Sequence, residues 1–587
     1  MLVEVAAVLL SPLVAFFGLR VARMVRPDMI DPYFYTAYAQ NGRDLIERYG
    51  DGFYYWVRLG FILPARASYL AFGAVPGFYI LRYLLALVAV VPVYLLLRRL
   101  HGRAAGALGV AVALSSPVVL HSWGTDYPDS AAVSYLFAGA ACLVMPAASR
   151  RARLGWVVLA GIALALALHC QFVSAPLVGA IVIGYVALNV RREPLHVMAH
   201  LGVLVLCGAA VTGALTGLAQ LVFGSHNIIA PTVTASEHFR TPEQLAKWHS
   251  TTWRWVLGDT YLLALPAALA GWCAARLGRG RPPSPAELAV VVAVALQGLF
   301  YAGLQFYGST ATLEYYLYSS MLWPGVCLVT AFLLVALCAP LLESPSTAVA
   351  PIALVVAVPL LMSQFSGHVR FRLAPAGVLV LVALVAVVLL GRLLARQAVA
   401  AAIAAALVVA GGFALTIASP PRAPGALLPG QAKFPQVKYA DVISGNGRGE
   451  VDAYRLASKL HLVVPRARFR GDDLMMWYPP GQSGRVNQPA AQYLWHVNSL
   501  RETMPALRRA DAKTLRTRKP GLLLLLSETG GEFPAALRSL SDASFHPTAL
   551  RREVLAAGSL RLHVWVVRLS TFTPPQRAGG GNQVAGP

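Results

Sequence analysis

Long apolar runs, separated by short polar segments, recur along the first 420 residues of this 587-residue chain. Each run is close to the roughly 20 residues that an α-helix needs to cross the hydrocarbon core of a bilayer. The pattern therefore predicts a polytopic α-helical membrane protein. The thirteen predicted transmembrane helices lie at residues 3–24, 78–98, 104–121, 130–148, 155–170, 172–190, 198–223, 255–275, 286–306, 315–338, 348–363, 375–393 and 398–418.

Basic residues concentrate in alternate loops of this predicted topology. Excess Lys and Arg in short loops is typical of the cytoplasmic side. The rule predicts a cytoplasmic N-terminus and places outside the membrane the opening loop (25–77), the loop 224–254 and everything after residue 420. The inner segments are RRLHGR, SRRARLG, NVRREP, RLGRGRP and GRLLARQ, whereas SGHVRFR is basic but predicted to lie outside.

The polarity pattern changes after residue 420. A Pro/Gly-rich linker, SPPRAPGALLPGQ, opens a segment of ordinary polarity that extends over residues 421–572. Within it, VDAYRLASKL and FPAALRSLSD have helical spacing, GLLLLLSET indicates a buried strand, and ALRREVLAAGSLRLHVWVVRL predicts two strands around a Gly turn. We therefore expect a small extracytoplasmic α/β domain, followed by a disordered tail at 573–587.

The composition fits a membrane protein, with 57% hydrophobic and only 13% charged residues. The net charge of +23 would also be typical of a nucleic-acid-binding protein. The Arg residues lie in alternate loops, however, so the positive-inside pattern of a membrane protein accounts for the charge. We therefore expect no nucleic-acid partner. All six cysteines fall inside predicted spans without a CxxC pair, so a cysteine-based metal site is not expected. P-loop, HExxH and G-x-S-x-G motifs do not occur in the sequence. Richness in Ala, Arg and Gly is typical of a high-GC bacterium, so the expected location is a bacterial plasma membrane.

Acidic residues are distributed in the opposite way to basic ones. Of fifteen Asp and Glu before residue 420, eleven fall on predicted outer loops or outer span ends. Acidic residues contribute little to topology, so topology alone does not account for this bias. An outward-facing functional site does account for it.

The opening loop holds the first candidate carboxylates, Asp28 and Asp31, together with Tyr33 and Tyr35. Because Pro32 follows Asp31, we expect Asp31 in an extended or turn conformation rather than in a helix. A carboxylate fixed at the membrane surface is a candidate general base for a hydroxyl group. The alternative interpretation is a capping or turn Asp beside aromatic residues of the membrane interface.

A second acidic pair, Asp126 and Asp129, precedes the fourth predicted span in the sequence GTDYPDSA. Charges close to a bilayer are costly and are usually paired or functional. Asp129 also fits an N-cap, since Ser130 and a run of good helix formers follow it. Both interpretations stay open at this point.

Basic and aromatic residues on the outer side are candidate donor-binding groups. Arg binds phosphate with two hydrogen bonds, and aromatic rings at a membrane surface cover sugars or form an interfacial belt. TPEQLAKW in the loop 224–254 predicts a further helix. The irregular spacing of the histidines gives little support for zinc, so no metal site is predicted. The candidates are Arg58, His226, His238, Arg254, Glu314, Tyr315, Tyr316, Arg370 and Arg372.

Four of these features together resemble the C-type (GT-C) integral-membrane glycosyltransferases, within them the protein O-mannosyltransferase and aminoarabinose-transferase-like group (glycosyltransferase family 39-like). They are the acidic start of the opening loop (RPDMIDPYFY), its aromatic continuation (YYWVRLGFILP), the acidic loop GTDYPDSA and the aromatic LEYYLYSSMLWP of a late span. Thirteen spans and an outward α/β domain also match the aminoarabinose-transferase-like members. The resemblance covers about residues 1–420.

The resemblance implies the GT-C fold, an outward-facing active site and a sugar donor linked to polyprenyl phosphate, with no nucleotide sugar and no required cofactor. The expected acceptor is a glycan, lipid or protein of the cell envelope, and the expected stereochemistry is inversion. The catalytic carboxylate of the family's opening loop falls on Asp31, with Asp28 as the alternative. Many relatives have Asp-Glu there, whereas this chain has Asp-Pro.

The family's second acidic position falls on Asp126 or Asp129. The leaving phosphate would be held by Arg58, Arg254, Arg370 or Arg372. The competing function is a transporter or flippase for a lipid-linked or glycan substrate. Transporters more often carry charges at mid-span, broken helices and repeated halves, whereas these charges lie at outer span ends and the sequence shows no repeat.

Overall fold

The structure is a computed structural model in which two compact units are present. The first consists of residues 1–24 and 38–447, and the second of residues 25–37 and 448–587. The residues that the structure describes are 2–18, 31–49, 51–52, 54–124, 127–239, 264–279, 282–304, 320–342, 455–456, 459–460, 463, 474–477, 479, 521–542, 545–558 and 560–571.

The chain before residue 343 is α-helical in its described parts. Two short 3₁₀ turns, Tyr54–Val57 and Ser320–Leu322, precede α3 and α14. The helices are α1 (Leu2–Gly18), α2 (Asp31–Tyr49), α3 (Leu59–Phe72), α4 (Ala74–His101), α5 (Arg103–Ser115), α6 (Pro117–Gly124), α7 (Pro128–Leu143), α8 (Arg150–Leu168), α9 (Ser174–Asn189), α10 (Pro194–Phe223), α11 (Ala230–Phe239), α12 (Ala264–Arg279), α13 (Pro285–Ala302) and α14 (Trp323–Leu342).

Four of the described helices are long and apolar enough to cross a membrane. They occupy Pro76–His101, Arg150–Leu168, Pro194–Phe223 and Pro285–Ala302, and they overlap the second, fifth, seventh and ninth predicted spans. The multi-pass character predicted from the sequence is thereby supported. The number thirteen stays a prediction, because the last three predicted spans, from residue 348 to 418, lie outside the described residues.

The third predicted span is broken into two helices. Segments Arg103–Leu114 and Val118–Gly124 are bent by 64° relative to each other. Ser116, between α5 and α6, has an extended backbone with φ −70° and ψ 115°. Pro117 follows it, and a residue that precedes proline is driven out of the helical region by steric clash. The expectation of one continuous helix at 104–121 therefore needs this correction.

The predicted opening loop 25–77 contains helices. Asp31 is the first residue of α2, so the expected extended or turn conformation at Asp31 is wrong. Pro32 does start a helix here, because proline is tolerated in the first turn, where its missing N–H would have no partner within the helix. Later in the same loop, Arg66 of α3 donates to the carbonyl oxygens of Ala39 and Gln40 at 3.1 and 2.8 Å.

Helix α7 is buried along its whole length in the described part of the first unit. All of its residues, Pro128–Leu143, are buried, and it packs against α4 and α8. Small residues let neighbouring helices approach closely in such a layer. A side chain at Gly139 of α7 would collide with Leu164 of α8, and one at Gly161 of α8 would collide with Cys207 of α10.

The second unit contains a four-stranded sheet in its described residues, with strand order β1-β2-β4-β3. The strands are β1 (Leu474–Trp477), β2 (Leu522–Ser527), β3 (Phe545–Ala557) and β4 (Leu560–Thr571), and α15 (Phe533–Asp542) lies between β2 and β3 in the chain. Strand β2 pairs in parallel with β1 and antiparallel with β4. The strand predicted from GLLLLLSET is β2, and the helix predicted from FPAALRSLSD is α15. The two strands predicted from ALRREVLAAGSLRLHVWVVRL are β3 and β4.

The core of this unit lies on the strands and on the helical turns around Leu456 and Leu460. Leu523–Leu526 of β2 are completely buried, as expected for a central strand. Strand β3 lies at the end of the described sheet, pairs with β4 and has an irregularity between Ala549 and Arg551. Arg551, Arg552 and Glu553 follow this irregularity directly, and Arg551 and Glu553 form an ion pair at 3.0 Å.

The close packing of α9 against α13 can be tested at Gly184. A Cβ atom built there would lie 2.6 Å from the carbonyl oxygen of Ala289 and 3.0 Å from the amide nitrogen of Ala293. We expect Gly184→Val to destabilise the protein by about 1–3 kcal/mol, because the two helices must separate. The measurement is the apparent melting temperature of the full chain in detergent.

Gly179→Val is the matched control on the same helix, because a Cβ atom at Gly179 meets no other atom within 4 Å. The two substitutions share the same change in helix propensity. Equal losses of melting temperature in the two variants would show that the α9–α13 contact is not responsible.

Candidate functional site

The site residues predicted from the sequence fall into three groups. For some the structure describes the side chain, for others only the backbone, and the rest lie outside the described residues. Side chains are described for Tyr35, Arg58, Asp129 and His226. For Asp31 and Tyr33 in α2 and His238 in α11, the backbone position is described but the side chain is not. The remaining candidates lie outside the described residues: Asp28, Asp126, Arg254, Glu314, Tyr315, Tyr316, Arg370 and Arg372.

Arg58 lies at the junction between the 3₁₀ turn Tyr54–Val57 and α3, where it is the residue before the helix. It is only 6% exposed. Its guanidinium lies 4.4 Å from the ring centre of Phe172 and 5.8 Å from that of Tyr54. The aromatic faces stabilise a cation that has lost much of its water. Its Nε–H has no hydrogen-bond partner among the described residues.

Asp129 lies in the first turn of α7. Tyr127, with an extended backbone, is the N-cap and Pro128 is the first helical residue, so the interpretation of Asp129 as an N-cap is wrong. Negative charge is stabilised at a helix N-terminus by the peptide dipoles. The side chain is completely buried, and its Oδ1 accepts a hydrogen bond from Nε2 of Gln171 at 2.9 Å. Its Oδ2 is buried without a partner in the described part of the chain.

Arg58 and Asp129 belong to one buried cluster that also contains Gln171, and they influence each other through space without a direct ion pair. The Arg58 guanidinium acts electrostatically on the Asp129 carboxylate. Burying two charges costs several kcal/mol each, and removing one partner leaves the other uncompensated. The cluster therefore contains an acceptor oxygen and a donor nitrogen that have no hydrogen-bond partner among the described residues.

Gly60 joins the three segments that carry this cluster. Its N–H donates to the carbonyl oxygen of His169 at 3.2 Å, and its carbonyl oxygen accepts from the hydroxyl of Tyr135 at 3.2 Å. A Cβ atom at Gly60 would collide with the carbonyl oxygen of Leu166 and lie 2.7 Å from Sγ of Cys170. Only glycine permits this approach of α3 to the connection between α8 and α9.

His226 and Tyr35 have other surroundings. His226 is exposed after the end of α10, and its Nδ1 pairs with Oε1 of Gln220 at 2.9 Å. Tyr35 is buried in α2. Beside His226, Ser225 donates to Oδ2 of Asp51 at 3.0 Å, and the indole of Trp56 donates to the carbonyl oxygen of Asp51 at 2.8 Å. Asp51 thereby ties the end of α10 to the 3₁₀ turn that precedes Arg58.

Gln171 was not among the predicted site residues. It lies in HCQF, the short polar interruption between the fifth and sixth predicted spans. An amide in the middle of an apolar region is costly unless it is hydrogen-bonded. This cost is the sequence signal from which Gln171 could have been identified as a candidate. Its partner could not be predicted, because Gln171 and Asp129 are 42 residues apart. Within the described ranges, no group of three or more His, Cys, Asp or Glu could hold a metal ion.

Residues 70–214 match the family model described as dolichyl-phosphate-mannose-protein mannosyltransferase. The matched segment extends from the end of α3 into α10 and includes both Asp129 and Gln171. None of the curated proteins matches the chain in sequence.

Among solved structures, the chain is similar to ArnT from Cupriavidus metallidurans. The crystal structure of ArnT bound to undecaprenyl phosphate shows 18% identity and a TM-score of 0.49, and the match covers 96% of this chain and 97% of ArnT. The chain also matches the Archaeoglobus fulgidus oligosaccharyltransferase in complex with zinc and sulfate. There the identity is 11% and the TM-score 0.40, with 93% of this chain and 72% of that chain covered.

The electrostatic influence of Arg58 on Asp129 predicts that their substitutions are not additive. Arg58→Gln leaves a buried carboxylate without its cation, and Asp129→Asn leaves a buried cation without its anion. We expect each to destabilise the chain by about 1–3 kcal/mol, and the double variant to lose less than the sum. The measurement is thermal unfolding of the four proteins in detergent.

Arg43→Gln combined with Asp129→Asn is the control for that cycle. Arg43 is 64% exposed and pairs with Glu47 on the surface of α2. The effects of Arg43→Gln and Asp129→Asn should therefore add. If the destabilising effects of Arg58→Gln and Asp129→Asn also added strictly, the predicted coupling between Arg58 and Asp129 would be contradicted.

Proposed function

We propose that this chain, whose residues 70–214 match the family model of dolichyl-phosphate-mannose-protein mannosyltransferases, transfers a sugar from a polyprenyl-phosphate donor to an acceptor on the outer side of a bacterial plasma membrane. The observation that carries the proposal is the buried cluster of Arg58 and Asp129, in which a guanidinium N–H and a carboxylate oxygen have no described protein partner. Buried polar groups without partners are rare in folded proteins and call for an explanation such as a ligand.

The family description names a mannose carried on dolichyl phosphate, which is a sugar on a polyprenyl phosphate. A donor of this class suits an enzyme embedded in the membrane, because the lipid chain and the protein share the bilayer. The phosphate ester already holds the free energy for transfer, so neither ATP nor a nucleotide sugar is needed. The acceptor is a hydroxyl group of an envelope glycan, lipid or protein.

The reaction follows from these groups. The acceptor hydroxyl oxygen forms a bond to the anomeric carbon while the bond from that carbon to the phosphate oxygen breaks. The electron pair of the broken bond remains on the polyprenyl phosphate, and the hydroxyl proton passes to a carboxylate. Attack opposite to the leaving group inverts the configuration at the anomeric carbon.

Asp31 is the proposed general base, with Asp28 as its alternative. Asp31 begins α2, and the N-terminal end of a helix stabilises a negative charge. An ionised carboxylate at this place can accept the hydroxyl proton if the acceptor binds within hydrogen-bond distance. Asp129, or Asp126 beside it in the sequence, is proposed to orient the sugar hydroxyls.

Arg58 is the proposed holder of the leaving phosphate. A guanidinium that is buried and fixed between aromatic rings stabilises developing negative charge more strongly than one in water, and it needs no rearrangement during the reaction. Its free Nε–H is the group that would donate to a phosphate oxygen. Arg254, Arg370 and Arg372 on the outer side are further candidates for the same role.

A transporter or flippase remains the second candidate, and the break between α5 and α6 favours it. Discontinuous helices commonly form the substrate sites of transporters. The break here lies beside Pro117, and the two helices are bent by 64°. Movement of a lipid-linked sugar across a proteoliposome membrane, without any glycosidic product, would support this alternative.

Replacement of Asp31 tests the base. We expect Asp31→Asn to lower the rate of sugar transfer by about 10²- to 10⁴-fold, because an amide cannot accept the hydroxyl proton. The measurement is transfer from a panel of radiolabelled polyprenyl-phosphate sugars in membranes at matched expression. Glu47→Gln is the control, since Glu47 is an exposed carboxylate on the same helix. Full activity of Asp31→Asn would reassign the base to Asp28, Asp126 or Asp129.

Replacement of Arg58 by Lys tests the phosphate-binding role. Lys keeps the charge but loses the planar, two-pronged hydrogen-bonding geometry of the guanidinium. We expect kcat to fall about 10²- to 10³-fold, because the contact strengthens as the leaving phosphate gains further negative charge. Arg43→Lys, on an exposed surface, should keep full activity. A variant with normal kcat would exclude Arg58 from the leaving-group site.

A further inference from the structure

A cavity of about 560 Å³ lies at the end of the helical layer opposite to Asp129. Helices α7 and α8 run in opposite directions, so the C-terminal end of α7 and the start of α8 meet there, whereas Asp129 and Gln171 lie at their other ends. Helix α8 has 19 residues, which corresponds to about 28 Å. The cavity is therefore separate from the proposed catalytic cluster.

Segments predicted to be cytoplasmic meet around this cavity. Its lining includes Leu100 from RRLHGR, Glu193 from NVRREP and three residues of SRRARLG, namely Ser149, Arg150 and Arg153. Ser284 and Pro285, which follow RLGRGRP after one intervening proline, line it as well. The loops that the positive-inside rule predicts to be cytoplasmic thus surround one cavity. In the predicted topology, the cavity therefore lies at the cytoplasmic face of the membrane.

The charge of the lining is positive. Arg150 and Arg153 supply the positive charge, and the acidic residue among the lining side chains is Glu193, whose Oε2 lies 3.6 Å from Nδ1 of the lining residue His196. In the described part of the chain, neither arginine has a carboxylate within ion-pair distance. Arg153 donates instead to the carbonyl oxygens of Met145 and Leu143 at 2.6 and 2.8 Å, so its guanidinium is fixed at the wall without a carboxylate partner among the described residues.

Three long helices begin at this cavity. Ser149 caps α8 and Ser284 caps α13, and their hydroxyls accept from the amides of Ala152 and Glu287 at 3.2 Å each. Helix α10 begins at Pro194, and no side chain caps its start. Each helix N-terminus contributes roughly half a positive charge. Helices α4, α7 and α9 end at the same cavity with their negative dipole ends, so the helix dipoles largely cancel, and the arginines give the cavity its preference for an anion.

An apolar surface continues from the cavity along α10. His196 and Val197 line the cavity, and their neighbours Leu195 and Met198 are 84% and 63% exposed. Val205 and Leu206, further along the same helix, are 71% and 69% exposed. An anion that carries hydrocarbon chains would have its charge in the cavity and its chains along this surface, whereas a soluble anion would not use the surface.

From these features we infer that the cavity between the starts of α8, α10 and α13 binds the phosphate headgroup of an anionic membrane lipid from the inner leaflet. Arg150 and His196 contact the phosphate, with the starts of the three helices around it. Basic cavities between transmembrane helices on the cytoplasmic side are a recognised form of lipid site. The site is independent of the sugar-transfer chemistry at the outer end.

The test compares two neighbouring charge reversals, Arg150→Glu and Arg151→Glu. Both arginines are exposed in the first turn of α8, but Arg150 lines the cavity whereas Arg151 does not. The probe is phosphatidylglycerol, titrated into the full-length protein in detergent and detected as bound lipid by native mass spectrometry. We expect Arg150→Glu to weaken binding about tenfold or more, and Arg151→Glu to bind like the wild type.

Each outcome decides for or against the site. Equal loss in both variants would mean non-specific attraction to a basic surface and would overturn the proposal, as would unchanged binding in both. Inorganic phosphate is the second probe, at concentrations up to the millimolar range. Displacement of the lipid by inorganic phosphate would assign the cavity to a soluble anion and overturn the assignment to a lipid.

Discussion

A charged side chain can be buried among apolar helices only if other groups replace the water that it loses. Asp129 is in this position, because it is completely buried in the first turn of α7. Its compensation comes from the start of its own helix, from the amide of Gln171 and from the cation of Arg58. These groups belong to different segments, so the charge fixes how α3, α7 and the α8–α9 connection meet.

This constraint also explains the close packing at Gly60. Arg58 can reach the cluster only if the start of α3 lies directly against the connection between α8 and α9. Any side chain at Gly60 would prevent that approach, since the backbone of Leu166 and the thiol of Cys170 occupy the space. The contacts at Gly60 therefore have two effects. They hold the helices together, and they bring the incompletely hydrogen-bonded side chains of Arg58 and Asp129 into one cluster.

The periodicity of the chain was sufficient to predict most of these elements. Apolar runs located α4, α8, α10 and α13, and β2 followed from five consecutive leucines. Two local predictions failed for local reasons. Pro32 was interpreted as a helix breaker although it lies in a first turn, and Pro117 was not recognised as the point where a span is interrupted.

The cluster itself was only partly predictable. Arg58 and Asp129 were candidates on the basis of charge and position. Their proximity in space could not be predicted, because they are far apart in sequence and no local pattern links them. Gln171 was visible as a polar interruption, yet its partner depends on the packing of α7 against α8. Long-range pairing of polar groups is a property of the tertiary structure, and periodicity contains no information on it.

The irregularity in β3 has a consequence for how the second unit behaves towards other molecules. A strand at the end of a sheet offers unpaired backbone groups, and a long strand of this kind is a template for aggregation. In β3 the register shifts between Ala549 and Arg551, and charged side chains follow directly. A margin with a register shift and charged side chains is a poor template for a flat strand of a neighbouring copy, so the described sheet is protected against growth at this side.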